Sequence, residues 1–165
     1  MAAGNTYVPL ATQTLGSATA SVNFASISGA YTDLVLICST TSATANGEVL
    51  LRFNGDATSN YSCTYLDGNG SAAGSFRNST QTGADLTYNA GSVTTNPNVV
   101  RTNIMNYANT TTYKTALTRI DSATQGLDAT ISLWRSTAAI TSVNVYSTSN
   151  FAIGSTFSLY GILAA

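Results

Sequence analysis

The stretch ISLWRSTAAITSVNVYSTSNFAIGSTFSLYGI, residues Ile131–Ile162, decides the fold class of this chain. Three segments within it, ISLW (131–134), VNVY (143–146) and FSLY (157–160), alternate large apolar residues with other side chains. A half-buried β-strand requires this period of two, because successive side chains leave opposite faces of a sheet. The connectors contain STAA and STSN, small polar runs of hairpin length. The stretch therefore predicts three consecutive strands of an antiparallel sheet.

The composition of the 165-residue chain is that of a folded domain with few charges. Hydrophobic residues make up 44% of the sequence but charged residues only 8%, against about 25% in typical globular domains. Disordered segments show the opposite combination, low hydrophobicity with high charge. Thr, Val, Ile and Tyr favour strands, whereas Gly, Asn and Ser favour turns. The composition predicts a β-sheet domain with a neutral, hydroxyl-rich surface.

Strand-like segments continue through the rest of the chain. The clearest are 31–40, 48–53, 61–66, 99–107 and 113–121, with Asn-Gly turn signals at 46–47 and 54–55. The long polar segment Ser71–Asn98 is expected to contain short edge strands at 76–80 and 84–88. No segment has a convincing helical period. The chain is predicted to be all-β, an antiparallel β-sandwich of jelly-roll type that spans residues 11–165 as one domain.

Residues 1–10 predict a short extended arm ahead of the sandwich. Pro9 blocks helix formation and restricts Val8 to extended geometry. Such a terminal segment is ordered when it is tied down against a neighbour. Asn5, Tyr7, Val8 and Pro9 are therefore candidate contacts with a partner subunit. After the arm, segments 11–15 and 21–24 are expected to pair as a short hairpin.

The sequence offers little for catalysis. His is absent, which removes the commonest general base and the usual Ser or Cys triads. No nucleophile elbow, phosphate-binding loop or dinucleotide-binding motif is present. Glu48 is the sole Glu, and the Asp residues are scattered, mostly beside turns. Two carboxylates could still meet in space as a glycosidase requires, but the prediction is a protein without catalytic residues or cofactor, and not an enzyme.

The sequence also predicts no bound metal. Cys38 and Cys63 lie in strand-like runs, where a free Cys behaves as a small buried hydrophobe. A disulfide between them requires their strands to be neighbours. A metal site is less favoured than a disulfide, because the chain has two Cys and no His as ligands. The run DGNGS at 67–71 resembles the start of a calcium loop but lacks the Glu expected further along. A hairpin turn is favoured there, with a surface Ca²⁺ built from Asp56 and Asp67 as the alternative.

The charge balance limits the partners of this chain. Six Lys and Arg against seven Asp and Glu give a net charge of −1, which is too few cations for a phosphate-binding patch, so nucleic acid is excluded. The N-terminus has no cationic or apolar signal region, and no segment approaches the ~20 apolar residues of a membrane span. The protein is expected to be made in a cytoplasm, without membrane insertion. A nearly neutral surface also favours association.

The arginines leave two interpretations open. Arg52, Arg101, Arg119 and Arg135 each follow or interrupt an apolar run. They are expected either to pair with acidic residues such as Asp33, Glu48 and Asp121, or to be solvated on an outer sheet face. The planar guanidinium suits an ion pair inside the sheet or at a subunit contact.

The aromatic residues also leave two interpretations open. The chain has nine Tyr and one Trp, which could provide flat rings on which sugars stack. Tyr in a strand is also an ordinary filler of a sheet face, and this is the favoured interpretation. For the first interpretation, Tyr88 and Trp134 are the candidate glycan contacts.

Five segments taken together resemble a phage protein family. They are YTDLVL (31–36), LRFNGD (51–56), SNYS (59–62), TYL (64–66) and GSTFSLYGI (154–162). The set is similar to small virion proteins of tailed bacteriophages, particularly marine and cyanobacterial ones, and to terminal modules of tail fibres. The resemblance spans nearly the whole chain. It implies a structural β domain on the particle exterior, with no catalytic motif to transfer.

The resemblance also implies a location and an assembly. The chain has only a short segment before the sandwich, which favours a capsid decoration (cement) protein whose arm reaches over a neighbouring subunit. Expected partners are other virion proteins, such as the major capsid protein, and further copies of this chain in a homotrimer. The expected location is the virion surface after assembly in the host cytoplasm. The alternative is a tail-fibre or receptor-binding module that recognises a host surface glycan.

Overall fold

The structure, a computed structural model, describes residues 6–88 and 90–163 and is built from β-strands without helices in those ranges. Two antiparallel sheets pack against each other, which confirms the predicted β-sandwich. The strands β1 to β12 are, in chain order, Tyr7–Thr14, Thr19–Phe24, Asp33–Thr40, Val49–Phe53, Tyr61–Gly68, Ala73–Gln81, Ala84–Asp85, Asn98–Met105, Lys114–Ser122, Gly126–Trp134, Val143–Phe151 and Thr156–Ile162. None of the described residues forms a helix that could span a membrane.

The two sheets are unequal in width. The larger has eight strands in the order β1-β12-β3-β8-β9-β10-β5-β6, and the smaller has four in the order β2-β11-β4-β7. Their facing surfaces share one core, to which Leu36 and Phe157 contribute from the larger sheet and Leu51 and Val145 from the smaller. Because the smaller sheet covers only part of the larger one, the remaining inner surface is covered by loops.

The opening stretch forms three strands as predicted, but they do not form hairpins. β10 and β12 belong to the larger sheet, whereas β11 between them belongs to the smaller. The predicted hairpin of segments 11–15 and 21–24 is also wrong, because β1 pairs with β12 and β2 pairs with β11. In these two parts of the chain, consecutive strands thus lie in different sheets and face each other across the core.

Residues 7–10 are part of the sandwich, which differs from the expected arm. β1 begins at Tyr7 and pairs antiparallel with β12, with a register shift between Pro9 and Ala11. Pro9 is compatible with this position because β1 is an edge strand of the larger sheet. Residues 1–5, including the predicted contact Asn5, lie outside the described residues.

The two cysteines are separated by the strand order. Cys38 in β3 and Cys63 in β5 are buried with free thiols. Strands β8, β9 and β10 lie between β3 and β5. The disulfide alternative is therefore excluded, and both residues act as small core side chains.

An aromatic cluster with one carboxylate joins the two sheets at one end of the core. Phe53 at the end of β4 packs against Tyr61 and Trp134 of the larger sheet, with ring centroids 6.2 and 5.6 Å away. The Trp134 indole N–H donates to the Asp56 carboxylate at 2.7 Å, and the Tyr61 hydroxyl donates to the Asp56 carbonyl at 3.2 Å. The backbone N–H of Phe53 in turn donates to the Tyr61 hydroxyl at 3.0 Å. The β4–β5 turn is thereby fixed to both sheets.

Hydrogen bonds set the ionisation of Asp56. Burial alone would raise the pKa of this carboxyl, but donors from Thr58, Asn60 and Trp134 outweigh burial and hold its pKa well below the ordinary value. A carboxyl with a depressed pKa in the folded state stabilises the fold above its unfolded pKa of about 4. This contribution is lost as the pH falls below that value toward the folded pKa.

We expect Asp56→Asn to lower the free energy of unfolding by about 1.5–3 kcal/mol near neutral pH, because a charge-assisted acceptor is lost. The wild-type protein should also lose more stability than the variant between about pH 5 and pH 2. Urea unfolding over this pH range measures both effects. Asp121→Asn, at an exposed carboxylate, is the control, and parallel pH profiles for wild type and Asp56→Asn would contradict the assignment.

Candidate functional site

The outer face of the larger sheet, the face directed away from the smaller sheet, is rich in exposed apolar side chains. Leu66 and Leu127 are 61% and 56% exposed. The other large exposed apolar residues on this face are Tyr7, Val99, Met105, Leu117 and Ile131. Soluble monomers rarely expose contiguous apolar surface of this kind, so the outer face is a candidate interaction surface.

Strand β10 is the centre of this apolar surface. It is inverted relative to ordinary sandwich strands, because it directs mainly polar side chains toward the core and aliphatic side chains outward. Its inward side chains are Asp128, Thr130, Ser132 and Trp134, all buried. Its outward side chains are Leu127, Ala129, Ile131 and Leu133. The strand register places Ile131 opposite Leu117 of β9, and Ala129 opposite Leu66 of β5. The aliphatic surface therefore continues across three neighbouring strands.

Charged groups lie beside the aliphatic surface on the same face. Arg101 and Arg119 are register partners on β8 and β9. The Arg119 Nε lies 3.5 Å from the Asp121 carboxylate, and both side chains are exposed, so this pair contributes little to stability. Arg101 donates to the Tyr7 hydroxyl at 2.8 Å, which ties the edge strand β1 to the middle of the sheet.

The other two arginines bind backbone or aromatic groups. Arg135 donates to three carbonyls, those of Ser59, Tyr61 and Ser79. Arg52 donates to the Thr82 carbonyl. Its guanidinium carbon lies over the Tyr146 ring, 4.3 Å from the ring centroid. Among the described residues, the expected arginine ion pairs are thus found only for Arg119 with Asp121.

The predicted partner contacts of the N-terminal segment divide between the two sides of β1. Tyr7 and Pro9 pair with Ile162 and Tyr160 of β12 on the outer face. Val8 pairs with Gly161 and lies on the opposite side. Tyr7 and Pro9 therefore lie on the candidate interaction surface.

A second candidate site lies where the larger sheet extends past the smaller one. The segments 86–88 and 90–92, called the Tyr88 loop, cover the inner face of β10 and β5 there. The Asp128 carboxylate accepts the backbone N–H groups of Tyr88 and Ala90 at 2.7 and 2.9 Å. Because Asp128 is fully buried, both bonds to its Oδ2 are shielded from water and anchor the loop, whereas its Oδ1 has no hydrogen-bond partner among the described residues.

The smaller sheet also holds the Tyr88 loop. The Leu86 N–H donates to the Val49 carbonyl at 2.9 Å, and the Val49 N–H donates to the Thr87 hydroxyl at 2.9 Å. Gly47 and Ser92 exchange two backbone hydrogen bonds of 3.0 and 2.8 Å. The loop is therefore anchored to both sheets and is pre-organised.

The Tyr88 loop completes an exposed aromatic platform. The ring centroids of Tyr65, Phe76 and Tyr88 lie 4.8 to 6.2 Å apart, and their planes are within 30° of one another. Tyr65 is buried, whereas Phe76 and Tyr88 are 46% and 42% exposed. Phe76 and Tyr88 are thus stacked on each other, and the exposed parts of both rings present apolar surface to solvent.

A polar cleft of about 430 Å³ borders this platform and is called the Tyr88 cleft. Tyr88 forms one wall, and Glu48, Gln125 and Thr148 are among the polar residues that line it. Gln125 belongs to the β9–β10 turn, whereas Glu48 immediately precedes β4. Residues far apart in sequence are thereby brought together.

A partly buried hydrogen bond joins Tyr65 of the platform to Asp85. The Tyr65 hydroxyl donates to the Asp85 carboxylate. Burial, together with the negative charge of Glu48, raises the pKa of Asp85, and burial together with the bond to Asp85 raises the pKa of Tyr65. Tyr65 therefore remains a neutral donor, and the surroundings of the cleft disfavour additional negative charge.

The structure separates the two predicted glycan contacts. Trp134 is 3% exposed and packs in the core against Phe53 and Tyr61, so it presents no ring face to a ligand. Tyr88 is exposed and lines the cleft. The residues that sequence analysis missed, Phe76 and Gln125, carry no local signal, because only the fold brings them beside Tyr88.

No metal centre is found in the described ranges, where no group of three or more His, Cys, Asp or Glu residues could hold an ion. The Asp56 carboxylate of the proposed calcium alternative accepts bonds from Thr58, Asn60 and Trp134. Its oxygens are thus engaged in the turn and the core.

Comparisons with known proteins identify no family for this chain. No family model matches it, and no curated protein matches it. One similar solved structure is an alginate lyase mutant in complex with an alginate tetrasaccharide, at 11% sequence identity and a TM-score of 0.32. The match covers 96% of this chain and 75% of the lyase chain.

This finding corrects the expectation that the chain is not an enzyme, since the matched structure is that of an enzyme. The expectation is withdrawn. With a TM-score of 0.32 and 11% identity, the likeness carries neither the lyase activity nor its substrate to this chain.

We expect Asp128→Ala to lower the free energy of unfolding by about 2–5 kcal/mol, because two backbone N–H groups lose their buried acceptor. The amides of Tyr88 and Ala90 should exchange with solvent faster, as measured by hydrogen–deuterium exchange. Ser132→Ala, on the same buried side of β10, is the control and should leave both amides protected. Unchanged exchange in Asp128→Ala would contradict the anchoring role.

Proposed function

We propose that this chain is a structural subunit on the exterior of a tailed-bacteriophage particle and that it assembles through the outer face of its larger sheet. The observation that carries this proposal is the inverted strand β10, which turns Leu127, Ile131 and Leu133 outward. Side chains of this kind gain about 1.5–3 kcal/mol each on full burial. A partner that covers them would therefore stabilise the complex strongly.

The segments that resemble phage virion proteins and the low charge support the same function. A chain with 8% charged residues and a net charge of −1 has little electrostatic repulsion between copies. A homotrimer is the proposed assembly, and the major capsid protein is the proposed particle partner. A decoration subunit of this kind stabilises the shell by mass action, because it binds the assembled lattice alone.

A receptor-binding module of a tail fibre is the second candidate function. The exposed platform of Phe76 and Tyr88 beside a polar cleft favours it, because carbohydrate sites combine an apolar wall with a few placed polar groups. In this candidate the outer face still serves subunit assembly, and the cleft faces the host.

The double variant Leu127→Lys/Ile131→Lys tests the assembly surface. Both side chains are exposed in the single chain, so the variant should fold. It should weaken self-association and particle binding by about 100-fold or more, because two buried aliphatic contacts are replaced by charges. Analytical ultracentrifugation measures self-association, and cryo-EM of particles with tagged protein measures particle binding.

The control is Ile153→Lys, which changes an even more exposed aliphatic residue, in the β11–β12 turn. It should associate like wild type. Cryo-EM density for the wild-type protein at regular positions on the capsid supports the role of a decoration protein. Density at the tail alone would support the role of a tail-fibre module instead. Absence from the particle, or unchanged association of the double variant, would overturn the proposal.

A further inference from the structure

We propose that the Tyr88 cleft binds an uncharged saccharide, with the sugar ring stacked on the Tyr88–Phe76 platform and its hydroxyl groups bound by Glu48 and Gln125. This inference goes beyond the assembly role and names the ligand class of the second candidate function. It concerns binding by the isolated chain, so it does not depend on where the protein lies on a particle.

The platform offers exposed aromatic surface of the kind that the apolar face of a sugar contacts, since Phe76 and Tyr88 are 46% and 42% exposed. The Phe76 and Tyr88 rings are inclined by only 12°, with centroids 5.7 Å apart. The faces of aromatic rings carry partial negative charge, and the C–H groups on one side of a pyranose carry partial positive charge. Tyr88 belongs both to the platform and to the wall of the cleft, so a ring stacked on it has its hydroxyl groups at the polar lining.

The polar lining provides unused hydrogen-bonding capacity. Within residues 6–88 and 90–163, the Glu48 carboxylate has no hydrogen-bond or ion-pair partner, since only its backbone is engaged, with Thr148. A carboxylate has two oxygens that accept hydroxyl donors. Gln125 adds an amide that both donates and accepts. Adjacent hydroxyl groups of a sugar match this combination.

The charge of the cleft determines which saccharides fit. Glu48 is the one carboxylate in the described lining, and no Lys or Arg is part of it. The charge of Glu48 is close enough to raise the pKa of Asp85 beneath the platform. A uronate or sialate would meet this negative field without a cation to pair with. The site therefore selects uncharged hexoses or N-acetylhexosamines.

The scaffold makes the site rigid before the ligand binds. The Asp128 carboxylate fixes the backbone at Tyr88 and Ala90 from below, and Tyr65 supports the ring from inside. Little conformational entropy is then lost on binding. A weak single site also gains from several copies in an oligomer through avidity.

The test begins with a glycan array that carries uncharged hexose and N-acetylhexosamine oligosaccharides beside uronate- and sialate-containing ones. The strongest uncharged ligand is then titrated by calorimetry into wild-type protein and three variants. Tyr88→Ala and Glu48→Gln should each weaken binding by about tenfold or more. Tyr88→Phe should bind like wild type, because it keeps the ring.

The control Tyr113→Ala removes another exposed tyrosine, which lies next to the start of β9, at the opposite end of this strand from Gln125. It should change affinity less than twofold. Glu48→Gln alters only an exposed side chain, so its affinity for the glycan tests the site if Tyr88→Ala fails to fold. The inference is overturned if no uncharged glycan binds, if only acidic glycans bind, or if Glu48→Gln and a folded Tyr88→Ala bind as wild type. None of these outcomes tests the proposed assembly through the outer face, which is tested by the self-association of the Leu127→Lys/Ile131→Lys variant.

Discussion

The inverted strand β10 is the constraint on which the two candidate surfaces depend. In most sandwich strands the aliphatic side chains face the core, but β10 buries Asp128, Thr130 and Ser132 and turns Leu127 and Ile131 outward. A buried carboxylate needs hydrogen-bond donors, and the backbone of the Tyr88 loop supplies two of them to the Asp128 Oδ2, whereas Oδ1 has no partner among the described residues. The inner side of the strand thus orders the Tyr88 loop, while its outer side forms the proposed assembly surface.

The unequal sheets explain why a loop lies against the inner face of β10. Four strands cannot cover eight, so the Tyr88 loop covers the part of this inner face around Asp128. Loops are the usual carriers of binding residues because a rigid scaffold positions them without requiring them for the core. An assembly that covers the outer face would leave the Tyr88 cleft exposed, since the two surfaces lie on opposite sides of the larger sheet.

The alternation of side chains predicted the strands well but could not predict their pairing or orientation. The period of two in segment 131–134 indicates a strand whichever side is buried, and Trp134 together with Ile131 gives apolar character to both sides. Hairpin-length connectors suggested local pairing, yet β11 lies in the other sheet. Tyr88 was a candidate contact from its residue type and its place in the polar segment Ser71–Asn98. Its partners Phe76, Glu48 and Gln125 come together only through long-range contacts that one sequence does not encode locally.

In the proposed assembly, the outer face is buried and the Tyr88 cleft stays open to solvent. Hydroxyl-radical footprinting of the free protein and of intact particles measures this directly, because it reports the solvent exposure of single side chains. We expect Met105, Leu127 and Ile131 to lose reactivity in the particle while Phe76 and Tyr88 keep theirs. Unchanged reactivity of Met105, Leu127 and Ile131, or protection of Phe76 and Tyr88 instead, would contradict it.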